Sequence, residues 1–201
     1  MKEDARTDWS QSKVLAKAIT RSRELRLCAP DYVTMLRQII FLSDVIVSVR
    51  ARTEDESDQF ARLVLKELGI WCYLAYEEMD NEQFLFQAEK CLNAASRRSY
   101  GSSPCINERG SFVRLPSDPE LNTYYAQVLW AKIQWHSASR SDQILCAELL
   151  EQCVQGDSAF LSGEIWFRLG VVYEKGIGRR PNIQRAQHCF DRARQYGFKI
   201  S

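Results

Sequence analysis

The stretch WFRLGVVYEKGIGRRPNIQRAQHCFDRARQYGF, from Trp166 to Phe198, decides the fold that this sequence predicts. Small and apolar residues recur in it at helical spacing on both sides of a glycine-containing turn. On the first helix these are Leu169, Gly170 and Tyr173, and on the second they are Ala186, Phe190 and Ala193. Gly176 and Gly178 bracket the turn, where residues without a Cβ reach positive φ at little cost. The stretch predicts two short antiparallel helices that pack closely.

This stretch resembles the consensus of Sel1-like repeats, a helical-repeat family related to the tetratricopeptide repeat. The positions that carry the resemblance are Leu169, Gly170, Tyr173, Gly176, Gly178, Asn182, Arg185, Ala186, Phe190, Ala193 and Gly197. The resemblance implies a helix pair that stacks on neighbouring pairs and presents a binding surface. It implies no enzymatic activity.

Upstream of Trp166 the same periodicity predicts six more helices. They span Asp8–Leu27, Asp31–Arg52, Gln59–Met79, Glu82–Arg98, Pro119–His136 and Asp142–Gln155. The acidic segment 53–58 is predicted as a loop and helix cap. The second helix is apolar nearly all round its circumference, which is typical of a helix buried in the middle of a bundle.

The fold class that follows is all-α, a short right-handed α-solenoid of about four antiparallel helix pairs. We expect an N-terminal helical half over residues 1–98, whose second pair is a degenerate repeat, and C-terminal repeats over residues 119–201. Residues 99–118, rich in serine, glycine and proline, are predicted to be a long loop. This loop is either a flexible linker or a segment that folds over a groove or meets a partner, since Phe112, Val113 and Leu115 are apolar.

Composition argues for a soluble, cytoplasmic protein. Basic and acidic residues balance at 27 and 26, and no long-range field would steer the chain to nucleic acid or to a membrane surface. Basic clusters near Arg21, Arg97 and Arg179 are interpreted as solvated surface. The seven cysteines lack CxxC spacing, which suits a reducing compartment. We see neither a secretory signal nor an apolar run long enough to span a bilayer.

No pattern in the sequence favours catalysis or a cofactor. His136 and His188 have no cysteine or carboxylate at metal-ligand spacing, so we expect no metal site. His188 and Cys189 are sequence neighbours, and neighbours on a helix point apart, which argues against a nucleophile and base pair. Nucleotide-binding and hydrolase motifs are absent from the sequence.

The resemblance also implies which residues line a concave groove, because the first helix of each repeat faces it. Relative to Leu169, the implied groove residues are Glu164, Phe167, Val171, Glu174 and Lys175. Trp130 stands at the corresponding position of the preceding pair, and its groove residues are Tyr125, Val128, Lys132, Trp135 and His136. These side chains describe an apolar trough with a charged rim, which either takes a peptide or helix or is filled by another part of the chain.

The function that we expect is a protein-interaction module, an adaptor, scaffold or chaperone-like protein that binds a partner protein or peptide in its groove. Two alternatives are an immunity or antitoxin protein that blocks an enzyme, and a regulator that senses a ligand or peptide. Because no polar capping helix follows Gly197, the C-terminal repeat is also expected to stack against a second copy, as a homodimer, or against a partner, with Phe198 and Ile200 buried in that contact.

Overall fold

The computed structural model describes residues 4–50, 54–97, 104–106, 112–114, 118–155 and 162–199. Within them the protein is all-helical apart from one short strand pair. The helices are α1 (Asp4–Leu27), α2 (Tyr32–Arg50), α3 (Glu54–Met79), α4 (Glu82–Arg97), α5 (Pro119–Gln134), α6 (Arg140–Gln155), α7 (Gly163–Lys175) and α8 (Ile183–Gln195). The chain forms two compact units, Met1–Arg98 and Ser99–Ser201.

In the first unit α3 is the central helix, and α1, α2 and α4 all pack against it. Its residues from Val64 to Tyr73 are buried on every side of the helix. A Cβ on Gly69 would lie 2.6 Å from Cγ of Leu92, which shows how closely α3 and α4 approach each other. The indole Nε1 of Trp71 donates to Oγ of Ser22 at 2.8 Å and ties α1 to α3.

Two predictions for this unit are wrong. The helix expected at the centre of the bundle was the apolar α2, yet it packs on one side only and leaves Ile40 and Val47 exposed. The acidic residues expected in a loop form the first turn of α3, which begins at Glu54. Carboxylates are favourable there because the helix dipole places partial positive charge at the N-terminus.

The second unit holds two helix pairs, α5 with α6 and α7 with α8, and α6 packs against α7. Residues 99–118, predicted as a loop, contain strands β1 (Pro104–Ile106) and β2 (Phe112–Arg114). The strands pair antiparallel with Cys105 opposite Val113. The β-branched and aromatic residues at these positions favour extended backbone, which accounts for the pairing. The remaining residues of the predicted loop lie outside the described residues, except Asp118.

Six cysteines are free, and five of these six are buried: Cys72, Cys91, Cys146, Cys153 and Cys189. Burial raises the pKa of Cys146 to about 12, and burial also raises the pKa of Cys189, to about 11. Cys28, at the end of α1, is exposed. Because the thiolate is the reactive form, the buried cysteines of the folded protein should resist alkylation.

We therefore expect Cys28 to react first among these six when the folded protein is treated with iodoacetamide at pH about 8. Cys72 and Cys146 should stay unmodified until the chain is unfolded, because their side chains are fully buried. Peptide mass spectrometry after timed labelling measures each rate, and labelling in denaturant provides the control. If Cys146 in the folded protein were modified as fast as Cys28, this would contradict the burial of the Cys146 side chain on α6.

Candidate partner-binding surface

Helix α7 carries half of the predicted groove residues, and its two ends are fixed. At its start the Ser162 side chain accepts a hydrogen bond from the backbone N–H of Ile165 at 3.4 Å. At its end Gly176 adopts a left-handed conformation with φ of 70°, and its N–H donates to the carbonyl of Val172. Capping at both ends satisfies backbone groups that a helix otherwise leaves unpaired.

The pairing of α7 with α8 depends on two glycines that permit close approach. A Cβ on Gly170 would lie 2.4 Å from Cε1 of Phe190, and a Cβ on Gly163 would lie 2.7 Å from Cβ of Phe198. Gly170, quoted from the sequence, thus faces the ring of Phe190 on the opposite helix. This is the packing expected of the Trp166–Phe198 stretch.

A partly buried polar cluster ties the turn after α7 to helix α6. The carboxylate of Glu151 accepts hydrogen bonds from the hydroxyl of Tyr173 and the guanidinium of Arg179. Arg185 donates to the same hydroxyl at 3.3 Å. Burial raises the pKa of Tyr173, and the hydrogen bond to the Glu151 carboxylate raises it further. The hydroxyl therefore stays protonated and donates at physiological pH.

Arg179 corrects one interpretation of the sequence. It belongs to a basic cluster assigned to solvated surface, but it is buried and is paired with Glu151. Its guanidinium also lies 5.2 Å from the centroid of the Tyr173 ring. The Arg179–Arg180 dipeptide gives no signal of this, since the partner carboxylate lies 28 residues away along the chain.

The groove residues predicted on α7 lie along one side of that helix. Glu164, Phe167 and Val171 are half-buried, and Glu174 and Lys175 are exposed. Glu164 accepts a charge-assisted hydrogen bond from Arg168 one turn along the helix. The open side of α7 is therefore a strip with an apolar centre and charged ends. We call these five residues the α7 strip.

Phe167 is partly covered from within the chain. Its ring stacks on Phe198 with centroids 4.8 Å apart and lies 5.8 Å from the ring of Phe190. The backbone N–H of Phe198 donates to the carbonyl of Ala193 and holds that ring in place. Phe198, expected to be buried by a second copy or a partner, thus has an intramolecular partner, and the homodimer through this end stays a prediction. Ile200 lies outside the described residues.

The groove residues predicted on α5 do not form a matching surface. Tyr125 and Val128 are buried, with 3% and 0% of their surface exposed, and cannot contact a partner in this structure. Between Leu121 and Ala131 the half-buried residues are Tyr124 and Gln127, so spacing counted from Trp130 points to a packed side of α5 and not to its open side. Trp135 and His136 lie beyond the last turn and are exposed.

Lys132 takes part in a local ion pair. Its Nζ lies 2.9 Å from Oδ2 of Asp142 at the start of α6, with 15% of the lysine side chain exposed. The lysine therefore links α5 to α6, and its ion pair with Asp142 reduces the positive charge that a partner would meet. Of the residues predicted on this helix pair, Trp135, 44% exposed, offers the most apolar area.

In the part of the chain that the structure describes, no cluster of three or more histidine, cysteine, aspartate or glutamate side chains is arranged to hold a metal ion. Nor is any helix among those residues both long and apolar enough to cross a bilayer. Comparisons of the chain with models of protein families, with curated proteins and with solved structures found no match. The resemblance to Sel1-like repeats stays a prediction that rests on the residues from Leu169 to Gly197.

Proposed function

We propose that this chain is a protein-interaction module that binds a segment of a partner protein along the α7 strip. The observation that carries the proposal is the strip itself. Val171 and the uncovered part of Phe167 form its apolar centre, and Glu174 and Lys175 are exposed at one end. Apolar contact area with charged residues at its margin is the usual composition of a protein-binding surface.

The rigidity of α7 supports this proposal. The helix is capped at both ends, packed against α6 and α8, and tied to Glu151 through Tyr173 and Arg179. A surface that is already ordered loses little conformational entropy when it binds, so more of the contact free energy appears as affinity. A strip of one short helix is correspondingly suited to a short, linear partner segment.

The partner segment that fits is an amphipathic helix or an extended peptide. Its apolar side chains, spaced three or four residues apart in a helix, would lie against Val171 and Phe167. Opposite charges at its ends would meet Glu164 at one end of the strip and the Glu174–Lys175 pair at the other. Because the strip carries both signs of charge, it selects orientation more than it selects net charge.

In this proposal the helix pairs stack as a right-handed solenoid, and the protein acts in the cytoplasm without a nucleic acid, membrane or cofactor partner. Whether the module serves as an adaptor, an inhibitor of an enzyme or a sensor depends on the partner. An enzyme inactivated by this protein would select the immunity or antitoxin role, and a short peptide that stabilises the protein against heat would select the sensor role.

Replacing Val171 by aspartate should weaken partner binding about tenfold or more, because the contact would bury a carboxylate that has no counter-charge. The measurement is affinity purification of the tagged protein from the cells that make it, with quantitative mass spectrometry of each co-purified protein. A stoichiometric partner should be captured by the original protein and lost with Val171→Asp.

Ile183→Asp provides the matched control. Ile183 is 68% exposed at the start of α8 and lies outside the α7 strip. An aspartate in the first turn of a helix is favourable, so this variant should stay folded and keep the partner. Equal loss in both variants, or full retention with Val171→Asp in a protein whose circular dichroism is unchanged, would contradict the proposal.

A further inference from the structure

The outer side of α2 carries a stripe of exposed aliphatic side chains. Val33, Ile40 and Val47 are 51%, 62% and 70% exposed and are spaced seven residues apart. Side chains at this spacing line up along one side of a helix, with a drift of about 20° per step. We call these three residues the α2 stripe. Phe41, 42% exposed, lies beside it.

The stripe is distinct from the contacts that hold α2 in its unit. Met35, Leu42 and Ile46 are buried on the opposite side of the helix, where α2 packs against α3. An amphipathic helix with one packed side would carry polar residues where the stripe lies. Exposed aliphatic side chains aligned on one side of a helix are candidates for an interaction site.

Read from either end of α2, the stripe presents valine, isoleucine and valine at intervals of seven residues. Val33 precedes Ile40 by seven residues, and Val47 follows it by seven. A second α2 helix running antiparallel, with the two-fold axis beside Ile40, would therefore place Ile40 against its own copy. The same axis would place Val33 against Val47 of the second copy. A self-complementary surface is what a two-fold symmetric dimer requires.

Two charged residues make the pairing selective. Arg37 and Asp44 are exposed, and both lie on the same flank of the stripe at helical spacing. Arg37 is three residues before Ile40 and Asp44 is four residues after it. An antiparallel copy therefore brings Arg37 to within about 1.5 Å, measured along the helix axis, of Asp44 in the other chain. A parallel two-fold copy would place this flank of the two chains on opposite sides of the contact, so Arg37 of one chain would not meet Asp44 of the other.

We propose that α2 is a dimerisation helix, which pairs antiparallel with α2 of a second copy of this chain through the α2 stripe and two Arg37–Asp44 ion pairs. This inference is independent of the α7 strip, which lies in the other unit. A contact of one helix pair is smaller than a standard protein interface. The dimer is therefore expected to dissociate measurably in the micromolar range.

The first experiment is analytical ultracentrifugation of the full chain over a range of concentrations. The original protein should show a concentration-dependent dimer. Arg37→Asp alone and Asp44→Arg alone should each weaken it about tenfold or more, since each variant creates two like-charge contacts. An equimolar mixture of the two variants should restore a heterodimer of near-original affinity, because each contact then joins opposite charges.

A cysteine cross-link tests the register without changing any charge. In a chain with Cys28 and Cys105 replaced by serine, Ile40→Cys should form a disulfide-linked dimer on mild oxidation, because the two copies of this position meet at the axis. Val33→Cys is the control, since its two copies would be separated by about 21 Å along the helix axis.

Several outcomes would overturn the proposal. A monomer at every concentration would mean that the stripe is covered by another part of this chain or by a different protein. A dimer that neither charge variant weakens would place the interface elsewhere, for example at the C-terminal helix pair. Weakened single variants that do not recover on mixing, or a Val33→Cys cross-link as efficient as that of Ile40→Cys, would exclude the antiparallel register.

Discussion

Replacing Glu67 by alanine is expected to lower the free energy of unfolding of the first unit by about 3–5 kcal/mol, the range found when one member of a buried ion pair is removed. Glu67 is fully buried on α3, and its carboxylate lies 2.7 Å from Nε of Arg23 and 3.2 Å from Nη2 of Arg26. Only 9% of the Arg26 side chain is exposed. Without Glu67 this arginine would keep its charge in a poorly hydrated place.

The measurement is hydrogen exchange of amides in α1 and α3, which reports on this unit separately. Denaturant unfolding of the whole chain would mix the two units and is not expected to be two-state. Glu67→Gln should have a smaller effect, since an amide still accepts a hydrogen bond from Arg23 or Arg26.

A double variant separates the cost of an unpaired charge from the cost of a cavity. Glu67→Met combined with Arg26→Met removes both charges and retains side-chain volume, so it should recover much of the stability lost in Glu67→Ala. A loss below about 1 kcal/mol in Glu67→Ala would contradict the burial of this pair, since exposed ion pairs contribute that much or less.

Helical periodicity was sufficient to predict where the helices lie, because each helix contributes enough apolar residues to show a face. It was insufficient to predict which helix is central. The segment from Ile39 to Val49 is apolar on two sides, and from sequence alone a side that packs against α3 looks the same as a side exposed on the unit. The central position of α3 follows instead from the ten consecutive buried residues that end at Tyr73.

For the candidate site, too, the sequence predicted the helix positions better than their exposure. Spacing measured from Leu169 found residues on the open side of α7, whereas the same spacing measured from Trp130 reached the buried Tyr125 and Val128. A spacing rule identifies the side of a helix, but what covers that side is decided by distant residues. The stacking of Phe198 on Phe167 and the pairing of Arg179 with Glu151 are two such contacts.

Replacing Gly178 by alanine is expected to destabilise the second unit by about 2–4 kcal/mol, the sum of a backbone penalty and an overpacking penalty. The backbone of Gly178 has a φ of 72°, where a side chain is unfavourable. A Cβ there would also lie 2.3 Å from the backbone oxygen of Gln143, in the first turn of α6. Because helix backbone cannot move aside as a side chain does, the turn or α6 must shift.

Gly197→Ala is the control that separates these two penalties. Gly197 has a φ of 79°, similar to that of Gly178, yet nothing lies within 4 Å of the Cβ position. Its replacement should therefore cost only about 1 kcal/mol, from the backbone conformation alone. Hydrogen exchange of amides in α6, α7 and α8 measures the loss in free energy of unfolding for each variant. Equal losses in the two variants would mean that the turn does not approach α6 closely, and α7 would then lack the support that the α7 strip requires.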